Sequence, residues 1–242
     1  MRPHLLNRGG SMDSSFTITH NSYPNFLKIW HYHAELELVL IEKSTGTRFI
    51  GDSIQKFQVG EIVLLGKNLP HMWVNDTAYF KNNMPNAAEA IAIHFKEDFL
   101  GEVLYKSAEF LHIGQMIKLS DRGIKFHDVH DTIYQQIRDM LSLTPYKRAM
   151  ALIEILNGLA RHNGYELLSS IGFMSRFERT ENKRFSKVYE YVFDNFKNTI
   201  KLGNAAQLMN MNPSAFSRLF KRTHRKPFIR YLNEIRVGYA CK

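Results

Sequence analysis

The chain has 242 residues, more than one typical domain and enough for two modest cores. Its 44% hydrophobic, 12% aromatic and 23% charged residues are those of an ordinary soluble globular protein, and no apolar tract is long enough to span a bilayer. The formal net charge of +9 is unevenly placed, because residues 1–180 carry 19 Lys+Arg against 19 Asp+Glu while residues 181–242 carry 13 against 4. A neutral body with a basic tail directs the tail at a polyanion, most often nucleic acid; a basic surface kept for solubility is the alternative. The N-terminus "MRPHLLNRGGSMDSS" lacks the apolar core of a signal peptide, and the single cysteine, Cys241, excludes an intramolecular disulfide. A cytoplasmic protein with no membrane partner is expected.

From about Ser15 to Phe95, short apolar or alternating runs such as "ELELVLIEKSTGTRFIGD" and "FQVGEIVLLGKNLPHMW" are punctuated by Gly, Asn, Asp and Pro. That spacing predicts an all-β sandwich or barrel. Within it, the run "IWHYHAELELVL", Ile29 to Leu40, reads as a strand. Alternate residues of a strand share a face, so His31, His33, Glu35 and Glu37 point one way and Tyr32, Leu36 and Leu38 the other. A half-exposed strand with no further role has the same alternation. Helical spacing follows: Val129, Ile133, Ile137 and Met140 or Leu141, then Met150, Ile153, Leu156 and Leu159. The second helix, Tyr146 to Leu168, would either pair between subunits of a homodimer or pack on the outside of the β-domain. Gly164 to Asn182 has no clear period and is predicted as a linker.

The basic tail reads as three helices: "FSKVYEYVFDNF", the short "KLGNAAQLMN", and "MNPSAFSRLFKRTH", with Asn212 as N-cap and Pro213 at the first helical position. Ala205 and Ala206 are small where two helices would cross closely, and Phe216, Leu219 and Phe220 form one buried stripe. Ser214, Ser217, Arg218, Lys221 and Arg222 are left on the opposite face. In a helix-turn-helix the N-terminal half of the second helix enters the major groove, which assigns Ser214, Ser217 and Arg218 to base edges and Lys221 and Arg222 to phosphates. An ordinary helical hairpin with a solvated basic face is the alternative.

The passage "AAQLMNMNPSAFSRLFKRTHRKPFIRYLNEIRVGYACK" resembles the DNA-binding domain of the AraC/XylS family of bacterial transcription regulators, above all in "MNPSAFSRLFK" and "YLNEIR". The resemblance covers Phe185 to Lys242. It implies double-stranded DNA and RNA polymerase as partners, and activation as the commoner outcome. Two departures stand out. Thr223-His224 replaces the family's usual Thr-Gly after the recognition helix, which would hold a histidine at positive φ. Family members also carry a second helix-turn-helix unit, and this chain stops at Lys242 inside what resembles the joining helix, as a fragment would.

The spacing of Gly60, His71 and Asn75 in "GEIVLLGKNLPHMWVN", together with H-x-H-x3-E at residues 31, 33 and 37, resembles the two motifs of the cupin superfamily. Cupins are small β-barrels of jelly-roll type whose motif residues bind a metal. The resemblance implies His31, His33, Glu37 and His71 as ligands, with Gly66 and Asn68 where Pro and Gly often stand. Three imidazoles and a carboxylate would suit a divalent transition metal and leave open coordination positions. Alternatively these residues hydrogen-bond an organic ligand or each other. Trp30 and Trp73 flank the histidines and could stack on a sugar ring, or simply pack.

AraC-like regulators commonly join an N-terminal cupin-like domain that binds a small effector to the DNA-binding domain. The expected fold class is therefore α+β in two domains. Residues 15–165 would form a cupin-like β-barrel with following helices, and residues 181–242 an all-α helix-turn-helix domain. The effector would act by re-setting how the helical linker presents the DNA domain. Two other readings compete: a metal-dependent cupin enzyme, dioxygenase or isomerase, for which a basic tail has no evident use, and a regulator that senses the metal or its redox state.

Overall fold

The computed structural model describes residues 4–5, 15–26, 28–81, 87–99, 101, 106–174, 185, 187–189, 191–192, 195–196, 198–224 and 226–240. The strands are β1 (His4–Leu5), β2 (Phe16–Tyr23), β3 (His31–Tyr32), β4 (Leu36–Lys43), β5 (Gly46–Ile50), β6 (Ser53–Phe57), β7 (Ile62–Leu65), β8 (His71–Asn75), β9 (Ala88–Phe95), β10 (Ile124–Phe126) and β11 (Tyr165–Leu167). The helices are α1 (Ala78–Lys81), α2 (Leu111–Leu119), α3 (Asp131–Asp139), α4 (Pro145–Arg161), α5 (Leu202–Gln207), α6 (Pro213–His224) and α7 (Phe228–Ala240). Further helical residues lie between 185 and 196. No helix among the described residues is long and apolar enough to cross a membrane.

The strands form two sheets, ordered β11-β10-β7-β4-β9-β2 and β1-β3-β8-β5-β6. Every pair is antiparallel except β1 with β3. The closed barrel expected from the sequence is not formed among the described residues; the sheets face each other as an open sandwich. The edge that would close it is too short, since β3 has two residues and meets β8 through one register pair, His31 with His71.

Side-chain alternation divides the chain into four layers. On one face of the larger sheet, Leu38, Leu40, Ile62, Leu64, Ile91 and Ile93 pack against Ile113 and Met116 of α2, Ile137 of α3 and Leu152, Ile155, Leu156 and Leu159 of α4. On its other face, Val39, Ile41, Val63, Leu65 and Ala90 meet Ile50, Phe57 and Trp73 of the smaller sheet. A sheet covered on both sides needs near-continuous apolar strands, which "LELVLI" supplies. The outer face of the smaller sheet, with Phe49 and Met72 beside Trp30, joins one apolar cluster with Phe185, Val188, Phe216, Phe220 and Leu232 of the C-terminal helices.

Three expectations are corrected here. The buried stripe of α4 is Leu152, Ile155, Leu156 and Leu159, turned onto the sandwich, whereas Met150 is exposed. The stretch "MALIEILNGL" supports two phases of the same apolar period, and the sandwich selects the one richer in leucine and isoleucine. The segment predicted as a linker from Gly164 begins as β11, which adds to the sheet beside β10. Beyond it Ser169 and Ser170 hold Asp52: Ser169 Oγ donates at 2.9 Å, Ser170 N at 2.8 Å and Ser170 Oγ at 2.6 Å. His224, expected at positive φ, remains helical and buried. Its ring stacks on Phe220 at 3.9 Å, its Nδ1–H donates to the Phe220 carbonyl at 3.0 Å, and the Tyr189 hydroxyl donates to its Nε2 at 2.5 Å.

Between the sheets, Arg48 and Glu61 form a buried ion pair, with Arg48 Nη1 at 2.7 and 2.8 Å from the two Glu61 oxygens. Gln55 Oε1 and the Lys56 carbonyl accept further hydrogen bonds from the guanidinium. Burial outweighs the partnership on both sides, raising the Glu61 carboxyl and lowering the Arg48 guanidinium from their ordinary pKa values. Glu61→Leu is accordingly expected to lower the unfolding free energy by about 3–5 kcal/mol, because it strands a buried cation. Adding Arg48→Met to the same chain should restore most of the loss. Denaturant unfolding of the three variants checks this, and a double variant as unstable as the single one would refute it.

Candidate metal centre

Strand pairing, rather than proximity in sequence, assembles the site. His31 on β3 lies opposite His71 on β8, and Glu37 on β4 lies opposite His94 on β9. His33 stands in the turn between β3 and β4, where its carbonyl accepts the backbone N–H of Asn68 at 2.7 Å. Asn68 adopts φ 58°, the left-handed conformation for which asparagine is the usual substitute for glycine. This explains how the second motif tolerates its departure there. Asn75, the last residue of that motif, braces the adjoining loops: its Oδ1 accepts from Phe26 N at 2.6 Å and its Nδ2 donates to Ser44 Oγ at 2.8 Å.

The ligand atoms of His31, His33, Glu37 and His71 lie within 4.8 Å of one another. Each of the three imidazoles is tethered by a backbone carbonyl: Nδ1 meets Ile29 O at 2.8 Å for His31, Glu35 O at 3.0 Å for His33 and Leu69 O at 2.7 Å for His71. A carbonyl only accepts, so the proton of each neutral ring sits on Nδ1, and Nε2 presents a lone pair. Those lone pairs face a carboxylate. His33 Nε2 is 3.1 Å from Glu37 Oε2, in hydrogen-bond alignment when that nitrogen carries a proton, and His71 Nε2 is 3.0 Å from the same oxygen, off the line of a hydrogen bond. His31 Nε2 is buried with no hydrogen-bond partner.

Acceptors this close repel unless a proton or a cation lies between them. At His31 and His71 protons are disfavoured. Burial, with the charge of His71 next in size, lowers the His31 pKa to about 3, and burial lowers that of His71 despite the pull of Glu37. Burial would raise the Glu37 carboxyl, but the charge of the neighbouring His94 opposes it, and the group is held well below the usual carboxylate range. Three imidazoles with carbonyl-fixed tautomers and one carboxylate fit a divalent transition metal.

The sequence reading missed His94. Its ring is buried, neither nitrogen has a hydrogen-bond partner, and Nε2 lies 3.3 Å from Glu37 Oε1, out of hydrogen-bond alignment. A histidine within "AIAIHF" is the signal that could have found it, since a lone polar group in a doubly covered strand needs a partner. A cavity of about 130 Å³ opens in front of His31 and Glu37, walled by Phe26, Val39, Ile41 and Trp73. Trp73 thus stands where the effector pocket was expected. Trp30, one residue before His31, points to the opposite side and joins the cluster with the C-terminal helices.

The residues assigned to DNA lie on α6 and its cap. Asn212 caps the helix, its Oδ1 accepting from Ala215 N at 2.8 Å, and Asn210 at φ 54° makes the tight turn after α5. Ser214, Arg218, Lys221 and Arg222 are exposed, Ser217 is half-buried, and Phe216 and Phe220 are buried on the opposite face.

No protein-family model matches the sequence, and no match is found among curated proteins. Among solved structures the fold is similar to a variant of ToxT from Vibrio cholerae, at 11% identity over 92% of this chain and 98% of that one, with a TM-score of 0.44. It is also similar to the AraC-like transcriptional activator CuxR, at 9% identity over 98% and 85% of the two chains, with a TM-score of 0.43. A cupin 2 conserved barrel protein from Salinispora arenicola matches 40% of this chain and 76% of its own, at 14% identity and a TM-score of 0.29.

Removal of single residues tests the centre. His71→Ala is expected to abolish tight binding of Zn(II) or Co(II), whereas His94→Ala, which removes a neighbour of a ligand, should weaken it by about 10- to 100-fold. Isothermal titration of the purified chain measures both. Saturating metal, at about 100 times its dissociation constant, should add about 2.7 kcal/mol of stability, removable with a chelator.

Proposed function

We propose that the chain is a DNA-binding transcription regulator whose β-sandwich binds a metal and a small effector. The observation that carries this reading is the pairing of two features in one chain: the capped, basic helix α6 set after α5 by a tight turn, and a His/Glu centre on the opposite side of the sheet against which these helices pack. In this reading residues 15–165 sense and residues 181–242 bind double-stranded DNA. The likenesses to CuxR and ToxT agree with it. Activation through contact with RNA polymerase, action as a homodimer and a cytoplasmic location complete the proposal.

The N-terminal half of α6 enters the major groove, with Ser214, Ser217 and Arg218 at base edges and Asn212, Lys221 and Arg222 toward phosphates. Coupling runs through strand alternation. On β8, Trp73 lines the cavity and His71 shares its face, while Met72 and Val74 belong to the apolar cluster of the C-terminal helices. At β3, His31 faces inward and Trp30 outward. An effector that shifts either strand therefore disturbs the apolar cluster on which the DNA-binding helices rest, a route beside the helical linker.

Binding to duplexes enriched from a random pool, followed by fluorescence anisotropy, tests the reading. Arg218→Ala should cost about 1–3 kcal/mol on the enriched sequence and relax specificity at one position. Lys221→Ala should weaken all sequences alike and reduce the salt slope by about 1. Met72→Ala should leave metal binding intact while DNA affinity stops responding to a chelator. No duplex enrichment, together with metal-dependent turnover of a substrate, would replace the regulator with the cupin enzyme.

A further inference from the structure

We infer that the effector is a small monocarboxylate with a compact apolar body, bound by one oxygen at the metal and by the other at Trp73. The inference rests on the metal reading above and adds the ligand's chemical class.

Three observations lead to it. The first is charge. Among the described residues Glu37 is the one carboxylate facing the cavity, and no Lys or Arg lines it. A divalent ion held by three neutral imidazoles and Glu37 leaves a net charge of about +1 in a poorly solvated space, where an anion is strongly preferred over a neutral molecule. The second is an unused donor. The buried indole Nε1–H of Trp73, which lines the cavity and packs edge-on against His71 at 5.5 Å, has no acceptor among the described residues. Indole donates and cannot accept, so its partner must offer an oxygen lone pair.

The third is the wall. Phe26, Val39, Ile41 and Ala92 are apolar, and the polar groups besides the centre are Asn21 and the half-exposed Tyr23. A sugar would bring several hydroxyls against such walls and leave them unsatisfied, at a cost of about 1–3 kcal/mol each. A carboxylate brings two oxygens, and the site has one use for each. The size is set by the cavity, about 130 Å³, close to the roughly 150 Å³ hydrocarbon-lined space that holds a benzene molecule in another protein. The apolar body therefore has about three to six carbons.

The test uses the whole chain loaded with Zn(II), titrated calorimetrically with straight and branched monocarboxylates of three to seven carbons, with isovaleramide as the neutral partner of isovalerate, and with xylose. A branched acid is expected to bind at least about 10-fold more tightly than its amide, because charge-assisted contacts are roughly twice as strong as neutral ones. Xylose should give no heat at the same concentrations. Stripping the metal should weaken the acid by about 10-fold or more, and Trp73→Phe should weaken it by about 10-fold while zinc stoichiometry stays at one, as expected for loss of one hydrogen bond to a charged group. Zinc bound normally but with acid and amide equal, with xylose binding more tightly, or with no acid binding at all, would overturn the ligand class and leave the metal reading standing. Failure to bind zinc, or acid binding indifferent to zinc, would overturn the assignment at the metal itself.

Discussion

Everything in this chain is arranged around acceptor atoms that repel one another. Three imidazole lone pairs and a carboxylate are turned toward one point between two apolar sheets, and carbonyls on Ile29, Glu35 and Leu69 keep the rings from turning away. Hydrophobic burial elsewhere has to hold that arrangement in place. The larger sheet, covered by helices on one side and by the smaller sheet on the other, supplies a rigid platform for Glu37 and His94. The smaller sheet brings His31 and His71 to it from the opposite wall.

In the proposed regulator the same construction gives a buried centre a route to a surface helix. A strand has two faces with a period of two, and here each face is committed to a different layer. Had the smaller sheet been solvent-exposed on its outer side, movement at His71 would have been absorbed by water. Instead Met72 and Phe49 are packed among aromatic side chains, and well-packed interfaces shift between discrete arrangements rather than deforming gradually. Asp52, in the β5–β6 turn, lies near Lys226 after α6, so the boundary between layers carries charge as well as apolar contact.

Much of this was legible in the sequence, for identifiable reasons. The H-x-H-x3-E spacing marked His31, His33 and Glu37 as a group, but the single strand expected from Ile29 to Leu40 is broken, with His31 on β3, His33 in the turn and Glu37 on β4; His71 follows from a turn whose geometry depends on Asn68. The cap at Asn212 and the burial of Phe216 and Phe220 are likewise local. The histidine in "AIAIHF" marks His94 as a buried polar group, but its place at the centre was not legible, because that depends on a cross-strand pairing with Glu37 that no short-range pattern records. The phase of α4 was ambiguous because apolar residues at 150 and 153 compete with those at 152 and 155, and the choice belongs to the sandwich. The open edges of the sheets depend on the length of β3, a tertiary outcome. His224 was misjudged from the glycine it replaces; a ring that stacks on Phe220 and accepts from Tyr189 is better placed within the helix than beyond it.

The distinction between sensor and enzyme comes down to where binding energy goes. Moving a two-state equilibrium from 1:99 to 99:1 requires about 5.5 kcal/mol of differential affinity. A lone small molecule in a cavity of about 130 Å³ has few contacts with which to supply it. Metal coordination works on a larger scale, with apparent free energies of about 10–16 kcal/mol in structural zinc sites. A centre whose ligands lie on strands of both sheets can direct part of that energy into the packing between layers. An enzyme would use the same energy on the reacting bond, and would gain nothing from the contact of Met72 with a basic helical domain. In the proposed regulator, the place of Met72 in the apolar cluster of the C-terminal helices, next to His71 in β8, gives that energy a use.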